Sequence, residues 1–248
     1  MNMLNTSLVL AAALSVAAQC HAQVIFEDSF DTGASPLWSN SRGSWTTFNG
    51  EYFAQVPSNN PTTYTLLPFE MGDCSIEVDV LGWRDGGVWL HSDSTRSNAI
   101  LLVTGGFTST GRGLYWHVVT NGNFAPPAGL TGSIIVPGGD YRLTVVARGT
   151  RYLAYVNGVF ASSLDIDAPR TGMVGLYDFA TGDQRFDNFI MRGPCPGDFN
   201  IDGGVDGSDI DAFFVAWEAG LSNADINIDG GVDGTDVEAF FAFWENGC

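Results

Sequence analysis

A twelve-residue stretch rich in oxygen-bearing side chains occurs twice near the C-terminus, at an offset of 27 residues. The first copy is DFNIDGGVDGSD, Asp198 to Asp209, and the second is DINIDGGVDGTD, Asp225 to Asp236. Asp198, Asn200, Asp202, Asp206 and Asp209 hold loop positions 1, 3, 5, 9 and 12 of the first copy. Gly203 stands at position 6, and the Gly204 carbonyl is available at position 7. Asp225, Asn227, Asp229, Asp233 and Asp236, with Gly230 and Gly231, repeat every assignment. A loop with this spacing wraps one Ca²⁺ in six or seven oxygens, the glycine allowing the sharp turn and the last carboxylate binding through both oxygens. The expectation is two calcium ions per chain. Without an ion the crowded carboxylates repel one another, so the folding of this tail should depend on metal.

Other residues could do different chemistry. Glu77 and Asp79, two apart on a strand, project from one face and are candidate catalytic carboxylates, although the wet face of an antiparallel strand also explains them. Trp89 and His91 share one face of a strand, Tyr115 and His117 share one face of a plausible neighbour, and Trp116 lies close by in sequence. Aromatic rings beside polar groups form platforms on which sugar rings stack. The competing account is core packing, which absorbs most tryptophans. His91 and His117 lack a third ligand that would make a metal site.

The elements that position these residues follow from periodicity. After each acidic loop an apolar stripe recurs at i, i+3, i+4 and i+7: Ile210, Phe213, Phe214 and Trp217, then Val237, Phe240, Phe241 and Trp244. These are two short helices that must bury their stripes against each other. Pro194 and Pro196 before the first loop, and Gly220-Leu221-Ser222-Asn223 before the second, leave no room for a preceding helix. Upstream, residues 24–193 read as some ten to fourteen short strands between Gly- and Asn-rich turns. Among them are Glu77 to Leu81, Val88 to His91, Ala99 to Thr104, Leu114 to Val119, Ser133 to Val136, Tyr141 to Ala147, Tyr152 to Val156 and Val159 to Leu164. Asn157-Gly158 is a hairpin turn. The fold class expected is mainly β, an antiparallel two-sheet jelly-roll sandwich, followed by a small α-helical module of two loop-helix repeats at 195–248.

Composition narrows the function. The net charge is −18, there is no lysine, and residues 195–248 hold 12 of the 28 acids and no base. Nucleic acid and anionic membrane surfaces are poor partners for such a chain. Leu8 to Ala18 is an apolar run of 11 residues, followed by the small residue Ala22. This is the form of a signal peptide over 1–22 and too short to span a bilayer. Gln19 is unsuited to precede a lipid-modified Cys20. A secreted location, extracellular or at a cell surface, is expected. It permits disulfides, and Cys195 with Cys248 would clasp the two ends of the acidic tail. Cys74 is left as a buried strand thiol.

The sequence also resembles known families. FEDSFDTG and PLWSNSRGSWTTFNGEYFAQ, with YRLTVVARGTRYLAYVNGVFASSLDIDAPRTGMVGLYDFATGDQRFDNFIM, resemble the first and last strands of laminin-G/concanavalin-A-like jelly rolls. That likeness implies sugar-binding modules, adhesive domains, glycosidases or keto-disaccharide hydrolases, among which fold does not decide. Jelly-roll β-glucanases carry a Glu-x-Asp-x-x-Glu run. Here Gly82 and Trp83 stand where its last Glu belongs. The duplicated loop-helix repeats resemble the dockerin module, and the terminal Asn246-Gly247-Cys248 resembles its GC-type variant. This implies an anchoring role, a cohesin-like or other surface partner, and docking through Ser208 and Thr235. The reading is a non-catalytic carbohydrate-binding or adhesive protein, with a polysaccharide as candidate ligand, held by a calcium-dependent tail. The alternative is a glycoside or keto-disaccharide hydrolase with the same tether.

Overall fold

Short runs of alternating polarity, closed by turns that need positive φ, give fifteen strands among the described residues. The computed structural model describes residues 23–58, 61–106, 113–131, 135–168, 170–179, 184–201 and 204–247. The expected signal segment, 1–22, lies outside them. The first strands are β1 Val24–Asp28, β2 Ser39–Arg42, β3 Trp45–Phe48, β4 Glu51–Ala54 and β5 Thr63–Leu66. Next come β6 Cys74–Leu81, β7 Gly86–Ser92, β8 Ala99–Thr104, β9 Tyr115–Thr120 and β10 Asn123–Phe124. The last are β11 Tyr141–Arg148, β12 Arg151–Val156, β13 Val159–Asp165, β14 Met173–Asp178 and β15 Arg185–Arg192.

Two antiparallel sheets result. One runs β13-β12-β11-β6-β15-β4-β3, with β1 also on β15, and the other runs β10-β9-β8-β7-β14-β5-β2. Asn157 and Gly158, at φ 52° and 75°, close the β12–β13 hairpin with Val156 paired to Val159, as a two-residue primed turn requires. The strand expected at Ser133 to Val136 does not form at Ile135 and Val136, and its earlier residues lie outside those described. Backbone groups here are satisfied otherwise. Gly138 donates to the Trp83 carbonyl at 2.7 Å, Trp83 donates to that of Gly139 at 2.8 Å, and Val136 donates to the Tyr141 hydroxyl at 3.0 Å.

The strands of the seven-stranded sheet differ from those of its partner. β6 alternates buried and half-buried residues, whereas β7, β8 and β14 are buried throughout. Val88, Leu90, Ile100, Leu102, Val174 and Leu176 face the space between the sheets, packing on Ile76, Val78, Val145 and Phe186. Their alternates, including Tyr64, Trp89, Leu101, Val103, Tyr115 and Tyr177, form a second apolar cluster on the opposite face.

The tail folds as two helices, α1 Gly207–Glu218 and α2 Gly234–Asn246, with one 3₁₀ turn at Ser222–Ala224 before the second loop. The expected stripes meet in a separate core around Phe213 and Phe240, whose rings stack 4.3 Å apart at 5°. The architecture is therefore a mainly β two-sheet sandwich with two C-terminal helices.

Candidate functional site

The outer face of the seven-stranded sheet carries the first candidate site. Strand alternation puts Tyr115 and His117 of β9 on this face, their rings 5.3 Å apart edge to face. Trp89 of β7 lies 6.1 Å from Tyr177 of β14 and 6.2 Å from Phe124 of β10, and Phe124 lies 5.6 Å from His117. Tyr115, His117, Phe124 and Tyr177, with Asp85, Phe179 and Thr62, line a groove of about 440 Å³. Phe124 is 49% exposed, while Trp89, which packs against its ring, is 1% exposed. The Trp89 indole N–H is buried and finds no acceptor among the described residues. Such an orphan donor is rare in a settled core. The Ala125 carbonyl accepts from Nδ1 of His117 at 2.6 Å, so that nitrogen carries the proton and leaves Nε2 as the acceptor of the neutral ring.

Among the described residues Asp85 is the one carboxylate of this lining. Burial pushes its carboxyl up to about 6, partly offset by the backbone N–H of Gly106. A groove of rings with one titratable acid is fitted to a neutral ligand rich in hydroxyls.

Two expected members of this face lie elsewhere. Trp116 is fully buried in the core between the sheets, its indole donating to the Ser162 hydroxyl at 3.1 Å. It sits between Tyr115 and His117 in sequence, so period two sends it the other way. His91 leaves the Trp89 face because β7 bulges. The register against β14 shifts, and His91 takes φ 48°. Its ring meets Tyr152 from the opposite sheet. Nε2 donates to the Gly72 carbonyl at 2.8 Å, and Nδ1 accepts from the Tyr152 hydroxyl at 2.6 Å. Burial lowers its pKa, which keeps this ring neutral and structural.

Glu77 and Asp79 do share a face, the outer one of the eight-stranded sheet, but all four of their oxygens are engaged. Arg142 reaches Glu77 at 3.0 Å and Asp79 at 3.1 Å, Arg192 reaches Glu77 at 3.2 Å, and the Asn188 amide donates to Asp79 at 2.8 Å. This is a half-buried ion-pair network on the outer face of that sheet.

The second candidate is the pair of acidic loops. Asp202 and Gly203 lie outside the described residues, so the second copy is the fuller one. Asp225 accepts from the backbone N–H groups of Asp229 and Gly230 at 3.2 and 3.0 Å. Asp229 accepts from that of Gly231 at 2.9 Å. Asp233 caps α2, and Asp236, fully buried, closes a capping box with it and also accepts from Ile226 at 2.7 Å. The first copy matches: Asp206 caps α1, and Asp209 accepts from Asp206 at 2.8 Å and from Asn200 at 3.0 Å. Ile201 and Ile228, at loop position 4 in each copy, have φ 62° and 60°. A β-branched residue is rarely found there, so both loops hold the same strained bend. Gly230 at position 6 has φ 94°.

Among the described residues no three His, Cys, Asp or Glu side chains already converge on one metal position, because these carboxylates point at loop N–H groups. The donor set itself is all oxygen, from carboxylates, amides and carbonyls, and such a set suits a hard divalent cation. Ser208 and Thr235 are exposed, yet each hydroxyl bonds within its own loop, to Asn200 and Asp206 or to Asn227 and Asp233. Cys74 is a buried free thiol. The expected partner of Cys195, Cys248, lies outside the described residues.

No protein-family model matches the chain, and no curated protein does. Solved structures match the sandwich. The carbohydrate binding module CBM66 from Bacillus subtilis aligns with a TM-score of 0.52 at 17% identity, over 61% of this chain and 92% of that one. A Bacillus subtilis protein of unknown function with a galectin-like fold aligns with a TM-score of 0.52 at 10% identity, over 71% of this chain and 98% of that one. At these identities the likeness is one of fold alone, a two-sheet antiparallel β-sandwich.

Proposed function

We propose that the protein binds carbohydrate on the outer face of its seven-stranded sheet and acts without cleaving it. The observation that carries this reading is the groove lined by Tyr115, His117, Phe124, Tyr177 and Asp85, with the buried Trp89 ring packed against Phe124 and Tyr177. Rings offer stacking faces to a pyranose, while the imidazole and the carboxyl accept from its hydroxyls. Glycoside hydrolysis in its usual form needs two carboxyl groups across the scissile bond, and the described residues of this lining supply one, Asp85. That a carbohydrate binding module has the same fold supports the reading only at the level of architecture.

The tail supplies the tether. In this reading Asp198, Asn200, Asp202, Asp206 and Asp209, and Asp225, Asn227, Asp229, Asp233 and Asp236, each hold one Ca²⁺, with the Gly204 and Gly231 carbonyls. The two helices then present a docking surface to a cohesin-like or other surface partner. A Cys195–Cys248 bridge closes the module, and the protein works outside the cell. Calcium would supply charge neutralisation and a fixed loop shape.

The test is a glycan array with the full chain and with Phe124→Ala and His117→Ala. Binding of a neutral glycan, weakened at least tenfold by either change while the fold is kept, is the expected result. Binding that survives both changes would remove the groove from the argument. Release of reducing sugar, lost in Glu77→Gln, would replace binding with hydrolysis.

A further inference from the structure

The sandwich reaches into the second acidic loop. Arg151, at the start of β12, is 6% exposed and Asp225, the first residue of that loop, is 2% exposed. The Arg151 guanidinium lies 2.8 Å from Oδ2 of Asp225 and also donates to the Ser222 carbonyl at 2.7 Å. Its Nε reaches the 56% exposed Asp165 at 2.7 Å. Arg148, across the β11–β12 turn, donates to the Asp225 carbonyl at 3.1 Å. The tail holds no base of its own, so this strand pair provides the second loop with its positive charge.

We propose that Arg151 is a built-in competitor for calcium at the second loop, a residue that sets that loop's affinity by sharing the Asp225 carboxylate with the ion. The inference rests on the calcium reading of the tail. A guanidinium and a divalent ion on one carboxylate repel each other, and burial keeps water and salt from screening that repulsion. The coupling is reciprocal: docking of the loop on Arg151 lowers its calcium affinity, and a bound ion loosens the hold of Arg151. Asp165 moderates the effect, since it takes part of the guanidinium's charge.

The two loops can be read separately because each has its own indole. Trp217 bonds to the carbonyl of Asp233 in the second loop, and Trp244 to that of Asp206 in the first. Terbium titration of the Trp244→Phe protein, followed by indole-sensitised luminescence, reports the second loop; Trp217→Phe reports the first. Adding Arg151→Gln to Trp244→Phe should lower the half-saturating metal concentration by roughly tenfold, within the usual range of such couplings, and leave the Trp217→Phe signal unmoved. Asp165→Asn, at an exposed position that tolerates change, should shift the second loop the other way, and it serves if Arg151→Gln does not fold. An unchanged or weakened second loop in Arg151→Gln, or a tighter one in Asp165→Asn, overturns the proposal. Calorimetry showing that the unaltered protein takes up no calcium overturns the calcium reading, and this inference with it.

Discussion

The indole of Trp217, in the last turn of α1, donates to the backbone carbonyl of Asp233, the N-cap of α2, at 2.7 Å. Trp244 returns the bond from α2 to Asp206, the N-cap of α1, at 2.8 Å. Each helix thus fixes the loop that begins the other. The duplication seen in sequence becomes a two-fold arrangement about the stacked Phe213 and Phe240 rings. Neither helix is long enough to persist alone, so the module folds as a pair or not at all.

Trp217→Phe keeps the apolar ring and loses the bond to the cap. It should cost about 1 kcal/mol of tail stability, read as an earlier loss of helical circular dichroism in a denaturant titration. The sandwich transition, followed by near-ultraviolet signals of its buried tryptophans, should not move. A shift in both would mean that the tail and the sandwich unfold as one unit.

Chelation should have a larger effect. Asp225, Asp229, Asp233 and Asp236 occupy one short loop, and their mutual repulsion is offset in the calcium reading by the ion. Adding EDTA should abolish most helical signal, and two equivalents of calcium should restore it. A spectrum indifferent to EDTA would separate the fold of the tail from its metal.

Local pattern reached some features and missed others for physical reasons. Ala99–Thr104 was legible as a strand with the bounds it has, because turns flank an uninterrupted apolar run. The helical stripes around Phe213 and Phe240 were legible because their period is unambiguous. The face of His91 was not, since a single bulge with positive φ reverses the alternation and leaves no mark in composition. Trp116 was misread because both faces of its sheet are apolar, and sequence does not tell the inner from the outer. Asp85, Phe124, Tyr177 and Phe179 escaped notice for a third reason. The order β10-β9-β8-β7-β14 gathers them from distant segments, and strand order is a long-range property.

Asp85 makes the groove sensitive to pH. Its carboxyl is raised to about 6 from 3.8 by burial, so the folded chain holds the proton more tightly than the unfolded one. The resulting stability is fully present below the unfolded value and is lost as pH rises through about 6. Ligand binding should run the opposite way, because the carboxylate is the stronger acceptor of sugar hydroxyls. Affinity should therefore rise with an apparent midpoint near pH 6. Asp85→Asn should flatten both curves and raise stability above that midpoint. A binding curve that still titrates near 6 in Asp85→Asn would remove Asp85 from the account of the pH dependence.

The cysteines give a test that needs no ligand. Burial pushes the Cys74 thiol up to about 12, with Asp73 adding to the shift, so almost no thiolate exists at pH 8 and the side chain is shielded as well. If, as proposed, Cys20 is removed with a signal segment and Cys195 is bridged to Cys248, the remaining chain should show no thiol to an aromatic disulfide reagent while folded. In denaturant without reductant it should show one, at Cys74. Three reactive thiols in denaturant would rule out the bridge. One reactive thiol in the folded protein would mean that Cys74 is reached by a local opening of β6 against β11. A mass at Cys248 above that of the bridged chain would point instead to covalent attachment of the tail.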